Sequence, residues 1–109
     1  MQPEARAYLH DIDQASILID RFRRGKTFDD YRSDPLLRSG MERQLEVIGE
    51  AVSKLSRVDP TTAAALSGRR RIIALRNILI HGYASVDDRV IWNILDHDLP
   101  VLQAEARGL

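Results

Sequence analysis

Apolar residues recur at helical spacing through the middle of the chain, and this pattern constrains the fold most. They stand at Leu37, Met41, Leu45, Ile48, Val52 and Leu55. Steps of three and four place them on one face of an α-helix. Asp34 followed by Pro35 supplies the N-cap residue and the first-turn proline that start such a helix. The pattern predicts an amphipathic helix of about twenty residues, which must bury that face against other elements.

Three further main helices follow from the same kind of signal. They are predicted over residues 4–23, from residue 68 or 69 to about residue 83, and from Asp87 onward, with Pro100 kinking or ending the last one. Short helical turns are predicted over residues 27–32 and 59–66. No stretch alternates with the period of a β-strand. The predicted fold class is therefore all-α: an up-and-down four-helix bundle with one or two short extra helices, forming a single domain over residues 1–109.

An apolar run over residues 72–80 is expected to form the central buried helix. The residues predicted to be mostly buried are Ile72, Ile73, Leu75, Ile78 and Leu79. Polar residues interrupt or follow the run at Arg76, Asn77, His81 and Tyr83. Arginine is rarely buried without a partner, so these groups either meet at the rim of a cleft or form a satisfied core arginine and a helix cap. Residue types alone leave both interpretations open.

The spacing Arg76-x4-His81-x-Tyr83, with Asn77 directly after the arginine, resembles the signature of HEPN domains. It is most similar to the HepT toxins of minimal nucleotidyltransferase toxin–antitoxin pairs. Residues 45–51, 86–92 and 99–102 also resemble that family, so the similarity covers nearly the whole chain. Many relatives carry Pro-Trp before the motif helix, where this chain has Ser-Gly-Arg-Arg-Arg over residues 67–71.

The resemblance implies a ribonuclease that acts as a homodimer, with catalytic Arg76 and His81, a supporting Asn77, and Tyr83 in the cleft. It also implies a cognate nucleotidyltransferase antitoxin that transfers adenylate to Tyr83. The alternative is a non-catalytic helical partner of a nucleotidyltransferase, which binds its substrate or holds its dimer. Loss of RNA cleavage in His81→Ala would distinguish the two.

The residue types fit metal-independent cleavage of RNA. RNA carries its own nucleophile, the 2′-OH. A histidine can transfer protons near neutral pH, and an arginine can stabilise the developing negative charge. His81 supplies only one of the two proton transfers, so a two-fold dimer with a composite site is expected. No motif predicts a cofactor or a metal site.

Three other polar groups have plainer interpretations. Glu46 and Glu50 lie one helical turn apart and are interpreted as partners for an arginine, with Arg76 as the candidate. The triplet at residues 96–98, Asp-His-Asp, resembles a metal site, but adjacent helical residues point apart, which favours a solvated face. His10 is assigned to a solvated face as well.

Composition narrows the class of protein further. The chain has no cysteine, and its 16 basic and 16 acidic residues balance, which argues against broad non-specific nucleic-acid binding. Two arginine-rich clusters, at residues 21–26 and 69–71, stand out. The first is interpreted as a helix end and the second stays open. No signal peptide or membrane span is evident, so a cytoplasmic protein is expected.

Overall fold

The computed structural model describes residues 1–82 and 86–109, and the regular secondary structure within these ranges is helical throughout. The helices are α1 (Pro3–Arg23), α2 (Phe28–Ser33), α3 (Pro35–Val58), α4 (Pro60–Ala63), α5 (Arg69–His81), α6 (Asp88–Asn93) and α7 (Leu99–Arg107), with a π-helical turn, Ile94–Asp98, joining α6 to α7. The predicted all-α bundle is confirmed, with α1, α3, α5 and the joined α6–α7 as its main helices. None of the helices in these ranges combines the length and apolarity needed to cross a membrane.

Local capping explains where α2 and α3 begin. The Asp34 side chain accepts hydrogen bonds from the backbone N–H groups of Leu36 at 3.0 Å and Leu37 at 3.3 Å. Thr27 and Asp30 form a reciprocal capping box before α2. These bonds satisfy amide donors that have no partner inside the helix, which is why both predicted starts are observed.

Helix α3 lies at the centre of the bundle and packs against both α1 and α5. Its apolar stripe is fully buried at five positions: Met41, Leu45, Ile48, Val52 and Leu55. Helices α1 and α5 both bury their own apolar faces against this stripe. The prediction that the motif helix α5 is the central buried one is therefore wrong.

Helix α5 lies at the edge of the bundle and buries one side only. Ile72 and Leu75 are each 4% exposed, whereas Ile73 and Leu79 are only half-buried. Ile78, which the sequence placed among the buried residues, is 45% exposed and corrects that prediction. The reason is that α5 packs mainly against α3, so the apolar residues on its far side are only partly covered.

Of the two outcomes predicted at Pro100, a kink or an end of the helix, the end is not observed, because helical structure continues through this residue. Proline has no N–H to continue the α-helical pattern of hydrogen bonds. The π-helical turn immediately before it widens that pattern, and the Leu99 N–H donates to the carbonyl of Ile94, five residues back. The wider turn accommodates the proline within one long helical segment.

Candidate active site

The motif residues lie on the second half of α5, which ends at a glycine. Gly82 adopts a left-handed conformation with φ of 63°, and its N–H donates to the Ile78 carbonyl at 3.1 Å. This is a common way for helices to end, because glycine reaches positive φ at little steric cost. His81 is consequently the last helical residue, and its side chain is exposed. Tyr83, the predicted modification site, falls outside the described residues.

The Arg76 guanidinium is held from two sides. One terminal nitrogen, Nη2, donates to the Glu50 carboxylate on α3, and the other, Nη1, donates to Asn77 Oδ1 at 2.9 Å. The Arg76 side chain is 27% exposed, so it reaches solvent while resting on the core. This arrangement confirms that Glu50 is the partner of Arg76. Glu46 pairs instead with Arg43, at 3.4 Å.

Sequence reasoning missed the contribution of Gly49. A β-carbon built at this position would lie 2.3 Å from Arg76 Cβ and 2.9 Å from Arg76 Cγ. No side chain larger than hydrogen fits there without moving α3 or α5. The available signal was a glycine inside a long helix, which costs stability unless a close approach requires it.

A cavity of about 410 Å³ opens beside Arg76. Helices α1, α3 and α5 all contribute to its walls. Its lining comprises Tyr8, Asp11, Arg43, Glu46, Val47, Glu50, Ala51, Lys54, Arg76 and Ile80. Acidic and basic side chains are present in equal number, and the rest of the lining is largely apolar. A volume of this size falls in the range of small-ligand pockets, about 300–1,000 Å³.

Arg76 and His81 leave the helix in different directions. Five positions along an α-helix correspond to a rotation of about 140°. Arg76 turns toward α3, where Glu50 and Gly49 lie, whereas His81 shares the outward side of α5 with Asn77 and Ile78, all three exposed. The structure thus brings Asn77 to Arg76 and places His81 at the exposed end of the same helix.

A second, largely apolar groove lies between α5 and α6 and includes Ile78 from that outward side. Its volume is about 370 Å³. Its apolar lining comprises Ala74, Leu75, Ile78, Val86, Val90 and Ile94, with Arg71 and Asp87 also contributing. Ile78 and Val90 remain 45% and 44% exposed. Neighbouring exposed aliphatic side chains of this kind are typical of surfaces that meet another protein.

The remaining sequence candidates take structural roles. Asp96 pairs with Arg23, and Asp98 pairs with Arg71 at 3.3 Å, so the acidic residues of the Asp-His-Asp triplet face different partners. Within residues 1–82 and 86–109, no three His, Cys, Asp or Glu side chains group closely enough to hold a metal ion.

Both arginine-rich clusters are partly engaged by the protein itself. Arg23 also lies 4.6 Å from the centre of the Trp92 ring, a cation–π distance. Arg69 donates to the carbonyls of Ala64 and Leu66, each at 3.4 Å, where the chain enters α5. Arg70 is exposed. These contacts support the helix-end interpretation of the first cluster. In the second cluster, Arg71 is exposed as well as Arg70, although Arg71 pairs with Asp98.

Comparison with known proteins gives a consistent result. The family described as "Ribonuclease HepT-like" matches residues 12–109. "Putative RNase TTE0752" of Caldanaerobacter subterraneus is 33% identical over 105 residues, covering 95% of this chain and 92% of that protein. "Probable ribonuclease HepT" of Thermococcus cleftensis is 33% identical over 113 residues, covering 100% and 98%. No solved structure matches the chain significantly.

Proposed function

Because this chain belongs to the HepT-like ribonuclease family, we propose that it is a metal-independent endoribonuclease toxin that cleaves cytoplasmic RNA with Arg76 and His81. The observation that carries the proposal is the placement of Arg76. Its guanidinium is fixed by Glu50 and Asn77 at the edge of a cavity, yet is still in reach of solvent. A fixed cation of this kind suits a phosphate undergoing reaction.

The chemistry is an internal transesterification. The ribose 2′-oxygen attacks the adjacent phosphorus as its proton passes to a base, and the bond from phosphorus to the 5′-oxygen breaks as that oxygen receives a proton. His81 performs one of these two proton transfers, and Arg76 stabilises the negative charge on the phosphorane oxygens. The products are a 2′,3′-cyclic phosphate and a 5′-OH end. Asn77 supports the site by accepting a hydrogen bond from Arg76.

The active form in this proposal is a homodimer. One His81 accounts for one proton transfer, and a second copy of the chain supplies the other. The outward side of α5 supports this arrangement, because the exposed Ile78 lies three positions before His81 on α5 and lines one groove with the exposed Val90 of α6. Pairing two such surfaces would bury both apolar grooves and bring the two histidines toward one cleft.

The proposed regulator is a cognate nucleotidyltransferase that transfers adenylate to Tyr83. This tyrosine follows His81 by two positions. An adenylate attached there would place a phosphate and a bulky base beside the catalytic groups, where the phosphate competes for Arg76. Inhibition then follows from charge and volume without unfolding the protein.

One observation favours the non-catalytic alternative. Glu50 already pairs with Arg76, so the arginine would have to share or exchange that carboxylate for a phosphate to act on RNA. In a purely binding subunit of a nucleotidyltransferase, the same ion pair would serve to hold α3 and α5 together.

The test is cleavage of labelled RNA in the presence of EDTA. Wild-type protein is compared with Arg76→Ala and His81→Ala. The matched controls are Arg70→Ala and His97→Ala, which remove exposed side chains of the same types elsewhere on the surface. Cleavage by wild type and both controls, lost in both motif variants, is expected. Equal RNA cleavage by all five proteins, or by none, would overturn the proposal.

A further inference from the structure

The cavity beside Arg76 has a lining that the cleavage chemistry does not use. We infer that it is a subsite for the base next to the cleaved phosphate, with guanine the best fit. This inference rests on the proposed ribonuclease function and adds a preferred nucleotide to it. Its basis is a pocket that joins an aromatic ring, aliphatic walls, cations and a carboxylate next to the arginine that meets phosphate.

The apolar part of the pocket suits a flat base. Tyr8 comes from α1, Val47 and Ala51 from α3, and Ile80 from α5. Tyr8 is half-buried and Ile80 is 47% exposed, so both still have surface to offer a ligand. Bases of single-stranded RNA commonly stack on aromatic side chains, each stack contributing about 1–3 kcal/mol.

The cations of the pocket suit the charge of a nucleotide. Three cationic side chains, Arg43, Lys54 and Arg76, line it. Lys54 is exposed and pairs with Glu50 at 3.6 Å, so Glu50 is shared between Lys54 and Arg76. With two cations on one carboxylate, this corner of the pocket retains positive charge that can accept a phosphate.

The carboxylate that selects among bases is Asp11. Unlike the carboxylates of Glu46 and Glu50, which are paired, the Asp11 carboxylate makes no hydrogen bond or ion pair with the residues that the structure describes. A free carboxylate repels phosphate and accepts only N–H or O–H donors, so it favours a base edge over the RNA backbone.

Guanine matches this requirement best. Its N1–H and N2 amino group offer two adjacent donors, which a carboxylate can accept together. Adenine and cytosine offer one amino group beside an acceptor nitrogen. Uracil offers a single N–H, and the carboxylate repels the two carbonyl oxygens on either side of it. The expected order of binding is therefore guanine first and uracil last.

The inference is tested by binding of the four nucleoside 3′-monophosphates to the full-length protein, measured by equilibrium dialysis. Wild type should bind the guanosine nucleotide at least about tenfold more tightly than the uridine nucleotide. A tenfold ratio of Kd values corresponds to a difference of about 1.4 kcal/mol in binding free energy. Asp11→Asn should remove most of that preference, whereas Asp20→Asn, an exposed aspartate on the same helix, should retain it. Tyr8→Ala should weaken the binding of all four nucleotides, whereas Tyr8→Phe should weaken the binding of none. Circular dichroism checks that each variant is folded.

Equal affinity for all four nucleotides, or a preference that survives in Asp11→Asn, would overturn the subsite. Its failure is separable from failure of the proposed function. A guanine preference in a protein that cleaves no RNA would keep the subsite and overturn the ribonuclease activity. Cleavage that depends on Arg76 and His81 but ignores the neighbouring base would do the reverse.

Discussion

Arg76 lies over Gly49 so closely that a β-carbon at position 49 would come within 2.3 Å of Arg76 Cβ. The next residue along α3, Glu50, accepts a hydrogen bond from the same arginine. Gly49, which has no side chain, therefore sets how closely Arg76 approaches α3, and the neighbouring Glu50 sets the direction of its guanidinium. The position of the proposed catalytic cation is therefore set by α3 as much as by its own helix.

Replacing Gly49 with alanine should impair both stability and cleavage. The added methyl group must push α5 away from α3, an overpacking that typically costs about 1–3 kcal/mol. Urea unfolding measures the stability, and cleavage of labelled RNA measures the activity. Gly40→Ala is the matched control, because a β-carbon there meets only the Phe22 ring at 3.4 Å. Within the same helix, that change should stabilise the protein by up to about 1 kcal/mol. A Gly49→Ala protein as stable and active as wild type would contradict the role assigned to the close approach.

The cleavage products should carry a 2′,3′-cyclic phosphate, and cleavage should survive EDTA. Internal attack by the 2′-OH leaves this end group, and neither Arg76 nor His81 requires a metal ion to act. Mass spectrometry of a short RNA digested with chelator present identifies the end. Products with a 3′-OH, formed only when Mg²⁺ is added, would refute the mechanism.

Ile78→Lys should convert the proposed homodimer into monomers. The change places a charge among the exposed aliphatic side chains of the groove between α5 and α6, and burying that charge against a second copy is unfavourable. Sedimentation velocity measures the change, and cleavage should fall with it because the proposed site needs both chains. Val101→Lys, at an aliphatic residue on α7 that is 51% exposed, should leave the oligomeric state unchanged. Wild-type protein that cleaves RNA while strictly monomeric would rule out the composite site.

Co-expression with the proposed cognate nucleotidyltransferase should add adenylate to Tyr83. Intact-mass and peptide mass spectrometry locate the modification, and Tyr83→Phe should escape both the modification and the inhibition. If the nucleotidyltransferase abolishes RNA cleavage while Tyr83 stays unmodified, the antitoxin works by binding alone.

Glu42→Gln should stabilise the protein at neutral pH. Burial raises the pKa of the Glu42 carboxyl, and the nearby Asp88 and Glu46 carboxylates raise it further, against the opposing effect of Arg38. A carboxyl whose pKa is higher in the folded state binds its proton more tightly there. The contribution of the Glu42 proton to the free energy of unfolding is therefore fully present below the pKa of the unfolded state, and it is lost as pH rises through the raised pKa of the folded state. Thermal unfolding should show the variant above wild type at pH 7 and equal to it in acid. A variant less stable than wild type at pH 7 would show that the ionised carboxylate contributes favourably.

Much of the fold follows from the residue pattern because its causes are local. The spacing of apolar residues and the caps at Thr27 and Asp34 act within a few positions along the chain, so they determine α2 and α3 without reference to the rest. The pairing of Glu50 with Arg76 was also within reach, since a half-buried arginine needs an acidic partner. Which of the two neighbouring glutamates takes that role was not decided by the sequence.

Only the tertiary structure decided which helix lies at the centre. The period of a pattern shows which residues share a face, but not which neighbour covers that face, and α5 is apolar on nearly every side. Ile78 is therefore exposed where the sequence predicted burial, because α5 packs against α3 at the edge of the bundle. The close approach at Gly49 and the cavity beside Arg76 arise from the same packing, since both depend on how near α1, α3 and α5 come to one another.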